Sequence, residues 1–422
     1  MRDRQFFVLQ AVSGEIMGAH DAGEAVAVQP VRPISGSSQT RWFMLALIFF
    51  ARTALGFQFQ TLGSVAPELT REFGFSYAEI GTLIGMFMMP GMFVAIPAGW
   101  LGSRWPDRVL ITLGLLALAA GGALSALAHG FSVLAAGRLL CGVGFVVGTL
   151  YFTKMTADWF SGRELATAMS IMVMSWPFGI AIGQIWHGWL ATHDAWRLAF
   201  WSASLDCILA AALFFVFYRP PAEAVAAGSS SANPTRLLKR EWVLLLIASL
   251  VWAAFNAAYV VYLSFAPRVL VAGGYSELSA SATISLTSWV LLASGALCGQ
   301  IADRTGRFDL VLYVCLAVGV LVLLALQATA YATAWSLMFG LFGMAPAGLI
   351  MALTGEAVAK ERRAFGIGVF MSAYYLTVTP APAIAGRLFD ATHWAFAAIL
   401  FAVALMVLTG VANFAFRLAQ RW

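Results

Sequence analysis

The chain has 422 residues, of which 61% are hydrophobic and only 11% are charged, and its formal net charge is +5. Soluble domains carry about 25% charged residues, and a core built from this chain could not hide so much apolar surface from water. The composition therefore excludes a soluble globular protein and indicates an integral membrane protein.

Apolar runs long enough to cross a bilayer, about 20 residues each, recur along the whole chain. Because these runs are continuously apolar rather than alternating, they favour helices over a β-barrel. The spans predicted in the first half cover residues 42–66, 78–101, 108–128, 131–154, 164–190 and 195–218. Those predicted in the second half cover residues 241–270, 278–301, 309–328, 332–355, 364–389 and 394–416. Together they predict an all-α integral membrane protein of about 12 transmembrane helices, in which very short turns separate the third span from the fourth and the ninth from the tenth.

Two hydrophilic stretches divide the chain. Residues 1–40 lack the charged, apolar and small-residue regions of a signal peptide, and they predict a disordered cytoplasmic tail. Residues 219–240, rich in Pro, Ala and Ser, predict a flexible cytoplasmic linker. The linker would join an N-terminal six-helix bundle (41–218) to a C-terminal one (241–416), with residues 417–422 as a short cytoplasmic C-terminus.

Lysine and arginine are distributed unevenly between the two sides of the predicted spans. The tail, the linker, the C-terminus and the loops after even-numbered spans hold most of them, whereas the opposite loops offer only Arg71, Arg197, Arg268 and Arg387. The positive-inside rule then places both termini and the linker in the cytoplasm. This bias accounts for the net charge without a nucleic-acid partner.

The sequence gives no sign of a metal site, a cofactor or an enzyme. The four cysteines (Cys141, Cys207, Cys298 and Cys315) all fall within spans, with no CxxC pair and no nearby histidine cluster. No nucleophile–base pair or phosphate-binding loop stands out either. We therefore expect the cysteines to pack as small apolar side chains.

A short polar sequence motif occurs twice, and the two copies are separated by about half the length of the chain. GWLGSRWPDRVL begins at Gly99 and GQIADRTGRFDL begins at Gly299, an offset of 299 − 99 = 200 residues. The same offset relates SVAPEL at 64–69 to SFAPRV at 264–269. Two six-helix units of the same orientation, related by an axis along the membrane normal, explain this repeat, and such symmetry places a binding site between the halves near the midplane.

These motifs resemble the major facilitator superfamily, whose loop signature between the second and third helices runs G-x-L-a-D-R-x-G-R. The second copy matches it at Gly299, Asp303, Arg304, Gly306 and Arg307. The first copy keeps Gly99, Arg104 and Arg108, but it has Ser103 in place of the aspartate. The sequence LAAGRLLCGVGF resembles the fourth-helix motif of the family, with Arg138 as its intramembrane arginine.

The resemblance covers residues 41–416 and implies a solute transporter that works by alternating access, without a cofactor. The run from Thr153 to Gly183 is also similar to the cyanate-permease branch. In such a carrier, charges near the loop motifs, among them Asp158, Arg163 and Glu356, would pair across the two halves and hold the cytoplasmic side closed. The alternative is that they only set the topology and stabilise loops.

Charged residues within spans are costly and tend to be kept for function. Arg52 lies ten residues past Trp42, about 15 Å into the membrane, on a helix that lines the central cavity in this family. Its planar guanidinium suits a carboxylate or another small oxyanion, so we predict a substrate ligand, the alternative being a structural arginine bonded to backbone carbonyls. Arg138 and Asp206 are candidates for coupling, although Arg138 also fits a structural role and Asp206 also fits helix packing.

Other polar and aromatic residues complete a predicted cavity. On the first helix, Gln58 falls about 60° from Arg52, so both side chains can face inward. Asn256 and Tyr259 share one stripe of the seventh helix with Trp252, and Tyr374 and Trp176 come from the eleventh and fifth helices. Stripes of this kind also form by packing alone. His187 and His193 are predicted to be surface groups near the outer membrane edge.

The resemblance leaves the direction and the solute open. Drug/proton exporters of this family carry an acid nine residues before the proline of an A-L-P phrase, whereas the residue nine before Pro67 here is the neutral Gln58. The sequence therefore favours uptake of a small organic or inorganic anion with proton symport by a monomer in a bacterial inner membrane. The alternatives are a drug/proton antiporter that exports amphipathic compounds and, as a third candidate, a membrane receptor without transport.

Overall fold

The computed structural model describes residues 38–101, 104–160, 162–221, 237–359 and 362–421. Within these ranges the regular structure is helical without a strand, and 12 helical segments are long and apolar enough to cross a membrane. The all-α prediction is confirmed. Almost all of the predicted tail, most of the predicted linker, and Ser103 lie outside the described residues, so their predictions stay open.

The described residues form sixteen α-helices, eight of which belong to the first half of the molecule. They are α1 (Ser38–Ser64), α2 (Ala66–Phe73), α3 (Tyr77–Met86), α4 (Gly91–Leu101), α5 (Asp107–Ala126), α6 (Phe131–Trp159), α7 (Gly162–Ala191) and α8 (Trp196–Phe217). Helix α2 is a short helix between spans, and α3 continues into α4 to make the second span.

Eight further helices form the second half. They are α9 (Lys239–Ala272), α10 (Glu277–Thr305), α11 (Phe308–Ala325), α12 (Ala332–Met338), α13 (Ala347–Ala357), α14 (Arg363–Val378), α15 (Ala381–Thr392) and α16 (Phe396–Gln420). A 3₁₀ turn at Thr329–Tyr331 and a π-helical turn at Phe339–Gly343 join the pieces of the tenth span, and α14 continues into α15 as the eleventh.

The structure contains the short turns that the sequence predicts between the third and fourth spans and between the ninth and tenth. Helix α5 ends at Ala126 and α6 begins at Phe131, whereas α11 ends at Ala325 and the next span begins at Thr329. The chain enters at the start of α1 and leaves at the end of α16 on the same side, because 12 spans bring it back. We call this the terminal side and the other the distal side.

Glycine lets neighbouring helices of one half approach backbone to backbone. A Cβ at Gly144 in α6 would lie 2.2 Å from the carbonyl oxygen of Gly114 in α5, and one at Gly121 would lie 2.5 Å from that of Gly137. Small residues at such crossings are typical of membrane helix pairs, which gain their stability from close packing. The sequence GVG in the fourth span is explained by this contact.

On the distal side the two halves meet along a seam between α3 and α15. A Cβ at Gly81 would lie 2.0 Å from the carbonyl oxygen of Pro382, and one at Gly386 would lie 2.0 Å from that of Tyr77. The carboxylate of Asp390 in α15 accepts hydrogen bonds from the backbone N–H groups of Tyr77 (3.0 Å) and Ala78 (2.8 Å). An acid of one half thus caps the N-terminus of a helix in the other, where the helix dipole favours negative charge.

Candidate substrate site

A cavity of about 420 Å³ lies between the two halves. Spans 1, 2, 4 and 5 of the first half and spans 7, 8, 10 and 11 of the second contribute to its wall. This arrangement matches the site that the 200-residue repeat predicts. The wall is mostly apolar and aromatic, and its polar residues include Arg52, Thr149, Ser170, Asn256, Tyr259, Tyr374 and Tyr375.

Arg52 is held in place by the segment of α7 that precedes Pro177. Its Nη1 donates to the carbonyl oxygens of Met172 (2.9 Å) and Val173 (3.1 Å) and to Ser175 Oγ (3.0 Å). Pro177 has no backbone N–H and lies four residues after Val173, so it leaves that carbonyl without its usual helical donor. The freed carbonyl is satisfied by the arginine, as happens at prolines in membrane helices.

The charge of Arg52 has no acidic partner in the part of the chain that the structure describes. No carboxylate of the described residues lies within 4 Å of its guanidinium nitrogens. Its Nε is buried and has no hydrogen-bond partner among these residues. Tyr375 lines the same cavity as Arg52. Arg52 is only 8% exposed and lies on the cavity wall. Its positive charge is therefore unpaired within the described part of the chain, and its hydrogen bonds to α7 leave other N–H donors of the guanidinium unused.

Aromatic rings surround the cavity on both sides. The ring of Trp176 packs against Phe145 at a centroid distance of 4.9 Å and against Phe59 at 5.3 Å. In the other half Tyr374 and Tyr375 lie 4.8 Å apart. Rings in such offset and tilted contacts form rigid walls that suit a flat, apolar body.

Two predicted residues of the seventh span line the cavity and are partly engaged within their own half. The hydroxyl of Tyr259 lies 2.7 Å from Ser288 Oγ. The amide nitrogen of Asn256 donates to the carbonyl oxygen of Trp252 at 2.8 Å, and the residue lines the cavity. The structure therefore brings Arg52, Trp176, Asn256, Tyr259 and Tyr374 to one cavity.

The prediction that Gln58 faces the cavity beside Arg52 is wrong for this structure. Gln58 is fully buried, and its amide nitrogen donates to Cys141 Sγ at 3.3 Å in α6. A Cβ at Gly122 in α5 would lie 2.4 Å from the same nitrogen. The 60° separation on α1 is large enough that Arg52 contacts α7 and the cavity while Gln58 contacts α5 and α6.

The two coupling candidates have different surroundings, and neither lines the cavity. Arg138 is fully buried and donates to the carbonyl oxygens of Leu83, Gln58 and Phe59 at 3.3–3.4 Å, which ties α6 to α1 and α3. These contacts describe a structural arginine. Asp206 is half-buried near the middle of α8, and it makes no hydrogen bond or ion pair with the described residues.

The two histidines differ. His193 is exposed and contacts Trp189, with ring centroids 4.6 Å apart. His187, predicted to be a surface group, is instead fully buried against Phe57. Neither of its ring nitrogens has a partner among the described residues. The prediction for His187 was wrong because a membrane-edge position in sequence does not show which face of α7 another helix covers.

The loop motifs lie on the terminal side, where the described residues form no ion pair across the halves. Every ion pair among the described residues joins groups of one half: Lys154 pairs with Asp107 and Asp158, and Arg417 pairs with Asp309 and Glu356. In the second copy, the side chains of Asp303, Arg304 and Arg307 are exposed. A Cβ added at Gly299 would have no atom within 4 Å. Gly306 has a φ of 65° and forms the left-handed C-terminal cap of α10. In the first copy, Arg108 lies over the ring of Phe215 and Arg104 is exposed, whereas the surroundings of Gly99 and the side chain of Arg163 lie outside the described part.

The sequence analysis missed two residues that the structure places at important contacts. Asp390 caps α3 across the distal seam, and Glu68 is buried in α2. Glu68 had a visible signal, since it lies in SVAPEL opposite the arginine of SFAPRV. The role of Asp390 depends on a contact between distant segments. Tyr375, which the sequence places next to Tyr374 on the eleventh span, lines the cavity with Arg52.

Comparison with known proteins gives the family of the chain. Residues 48–354 match the Major Facilitator Superfamily. A chloramphenicol resistance protein of Streptomyces lividans is 30% identical over 269 residues, 62% of this chain and 67% of that protein. A 3-(3-hydroxy-phenyl)propionate transporter of Escherichia coli (strain K12) is 25% identical over 371 residues, 85% of this chain and 89% of that protein.

A solved structure supports the same fold. The crystal structure of a bacterial homolog to the human lysosomal transporter Spinster, in an inward-facing and unoccupied conformation, has a TM-score of 0.72 at 15% identity and covers 92% of this chain and 98% of that chain. With the repeat, the 12 spans and the cavity between the halves, these matches establish that the chain belongs to the Major Facilitator Superfamily and is a transporter rather than an enzyme.

Proposed function

We propose that this transporter takes up a small organic anion, with a carboxylate and a flat ring, together with a proton. The observation that carries the proposal is the unpaired guanidinium of Arg52 on the wall of the cavity between the halves. Arginine cannot be deprotonated in proteins and binds carboxylates through two parallel N–H donors. A solute of the opposite charge would complete the coordination that α7 begins.

The rest of the cavity supports an anion with a ring. Its volume of about 420 Å³ falls within the range of small-molecule sites, about 300–1,000 Å³. Trp176, Tyr374 and Tyr375 offer ring faces near the arginine, and Asn256 offers a polar group from the other half. The relative from Escherichia coli, named as a 3-(3-hydroxy-phenyl)propionate transporter, is consistent with such a solute.

Proton symport follows from the energetics of moving an anion inward. Each negative charge carried into a cell against the membrane potential costs about 2.3 kcal/mol per 100 mV. A proton carried with the anion makes the step electrically neutral. The excess of lysine and arginine on the terminal side supports a cytoplasmic location for that side and a bacterial cytoplasmic membrane as the site of action.

The second candidate is export of amphipathic drugs in exchange for protons. The relative from Streptomyces lividans is a chloramphenicol resistance protein, and the largely apolar wall of the cavity would also accept an uncharged or cationic compound. In that case Arg52 would serve only to hold the segment of α7 that precedes Pro177. The two candidates differ in whether the ligand needs the charge of Arg52.

The test is ligand binding to purified wild type, Arg52→Gln and Arg52→Lys, measured as thermal stabilisation. A ligand at 100 times its Kd raises the free energy of unfolding by about 2.7 kcal/mol. We expect benzoate and phenylpropionate to stabilise wild type, to lose about 10- to 100-fold in affinity for Arg52→Gln, and to bind Arg52→Lys with intermediate strength. Arg387→Gln, which removes an exposed arginine from α15, is the control and should bind like wild type.

Uptake into proteoliposomes then tests the direction and the proton. An inward proton gradient should drive accumulation of the anion by wild type and Arg387→Gln, but not by Arg52→Gln. Equal binding of tetraphenylphosphonium by wild type and Arg52→Gln, with no stabilisation by either carboxylate, would favour the exporter and refute the role of Arg52.

A further inference from the structure

A buried carboxyl group lies at the distal end of the contact between the halves. Glu68 belongs to α2, the short helix that follows the first span, and its exposure is only 6%. Its Oε2 is buried without a hydrogen-bond partner in the described part of the chain. Acidic side chains are almost never buried unless they are paired, so an ionised Glu68 would be costly here.

The charged groups around Glu68 do not offer it a free cation. Arg268 in α9 donates from Nη1 to Oε1 of Glu277 at 2.9 Å and from Nη2 to the other oxygen, so that pair is already neutral. Arg71, on the same helix as Glu68, is largely exposed and pairs with Asp194. Glu68 therefore brings a second carboxyl group to an arginine that Glu277 already occupies.

The surroundings of Glu68 act on its pKa in both directions, and burial has the largest effect. Burial raises the pKa of Glu68 above its ordinary value of 4.5, and the charge of Glu277 raises it further. A hydrogen bond from its own backbone N–H and the charges of Arg268 and Arg71 lower the pKa, but they do not compensate for the burial. The four groups that act on the carboxyl group, from its own helix and from α9 and α10, are its backbone N–H, Arg71, Arg268 and Glu277.

The position of Glu68 connects its burial to the closure of the halves. Glu68 and Arg268 occupy equivalent places in the 200-residue repeat, and the charges of Arg268 and Glu277, both in the second half, act on the carboxyl group of Glu68. At this end of the molecule a Cβ at Gly63 would lie 3.8 Å from Ser264 Oγ, and the ring of Tyr77 lies 6.4 Å from that of Phe265. Separation of the halves on the distal side would therefore let water reach Glu68.

We propose that Glu68 is the proton-binding site of the distal gate, the contact surface that joins the halves on that side. Its carboxyl group holds a proton while the gate is closed, and it gives that proton to water on the distal side when the gate opens. Closure takes the proton up again. This gating proton is independent of the solute and of the proton proposed for symport.

The pH dependence has a definite sign. Because the pKa is raised in the closed state, closure is favoured fully below the ordinary pKa of an exposed glutamate, and this advantage is lost as the pH rises through the higher pKa of the closed state. Each unit by which closure raises the pKa changes the open-to-closed ratio about tenfold between low and high pH. The distal gate should therefore open as the pH rises.

Distances between spin labels at Thr192→Cys and Thr392→Cys test the proposal. Both threonines are exposed at the distal ends of α7 and α15, in equivalent positions of the two halves. The labels are placed on the full chain, with the four native cysteines replaced by alanine, in lipid nanodiscs without any substrate. Distances are recorded from about pH 5 to about pH 9, a range above the ordinary pKa of glutamate.

We expect the population with the longer distance to grow with pH in the otherwise unchanged chain. Glu68→Gln, a neutral analogue of the protonated acid, should keep the shorter distance at every pH. His193→Gln is the control, since it removes an exposed ionisable side chain on the same side that does not act on Glu68, and it should keep the pH response.

Three outcomes would overturn the proposal: no change of distance with pH before Glu68 is altered, an unchanged response in Glu68→Gln, or a response that Asp390→Asn alone abolishes. Where Glu68→Gln fails to fold, the first and third measurements still decide. Because no substrate is present, failure of the anion proposal would leave these distances unaffected.

Discussion

Gly386→Ala is expected to open the distal gate, because the two halves approach there backbone to backbone. The added Cβ would lie 2.0 Å from the carbonyl oxygen of Tyr77 and 2.4 Å from its carbonyl carbon. Ordinary van der Waals contact begins near 3.4 Å, so α15 and α3 would have to separate by about 3.4 − 2.0 = 1.4 Å. A backbone carbonyl cannot rotate away as a side chain can.

The separation would also break the cap that Asp390 supplies. Its hydrogen bonds to the N–H groups of Tyr77 and Ala78 are 3.0 and 2.8 Å long, and an increase of about 1.4 Å takes both beyond hydrogen-bonding distance. Overpacking costs about 1–3 kcal/mol. Since about 1.4 kcal/mol is a factor of ten, the ratio of closed to open molecules should fall about 5- to 150-fold.

The assay is the distance between spin labels at positions 192 and 392, measured at one pH near 6, with Gly368→Ala as the control. Gly368 lies in α14 of the same span, and a Cβ there would meet no atom within 4 Å. We expect longer distances for Gly386→Ala and wild-type distances for Gly368→Ala. Identical distributions for the two variants would show that the glycine seam does not hold the gate closed.

Three further predictions concern single contacts. Asp390→Asn removes the negative charge at the N-terminus of α3 and should favour the open gate by about 1 kcal/mol, seen as longer label distances; an unchanged distribution would contradict the capping role. Pro177→Ala returns a backbone N–H that competes with Arg52 for the carbonyl oxygen of Val173, so benzoate should bind about tenfold more weakly while thermal stability is kept or raised. Arg138→Met leaves buried carbonyl groups unpaired and should lower stability by about 3 kcal/mol in a thermal unfolding assay. Retained stability with lost transport would instead make Arg138 a coupling residue.

The spans, the repeat and the depth of Arg52 were readable from the sequence. Hydrocarbon offers no hydrogen bonds, so every spanning segment must pair its own backbone N–H and C=O groups as a long apolar helix. A long run of apolar residues in the sequence therefore indicates a span directly. The 200-residue repeat is also visible in the sequence, and it predicted a binding site between the halves. The membrane position of Arg52 needed only a rise of about 1.5 Å per residue.

The direction that each side chain faces was not readable from the sequence. Helical periodicity placed Gln58 near Arg52 on α1, but it did not show that the amide would be enclosed by α5 and α6 within its own half. His187 likewise lies where α7 is covered by Phe57 rather than by solvent. A helix has several neighbours, and the angle between two residues does not tell which neighbour each one meets.

The sequence by itself therefore determined that the chain lies in lipid, that it has about 12 spans in two equivalent halves, and that the first span contains an arginine. The tertiary structure decided that the carbonyl group freed by Pro177 holds Arg52, and that Asp390 caps a helix more than 300 residues earlier in the chain. The physical reason is that membrane insertion selects apolar length one segment at a time, whereas charge compensation and closure depend on atoms brought together only by packing the two halves.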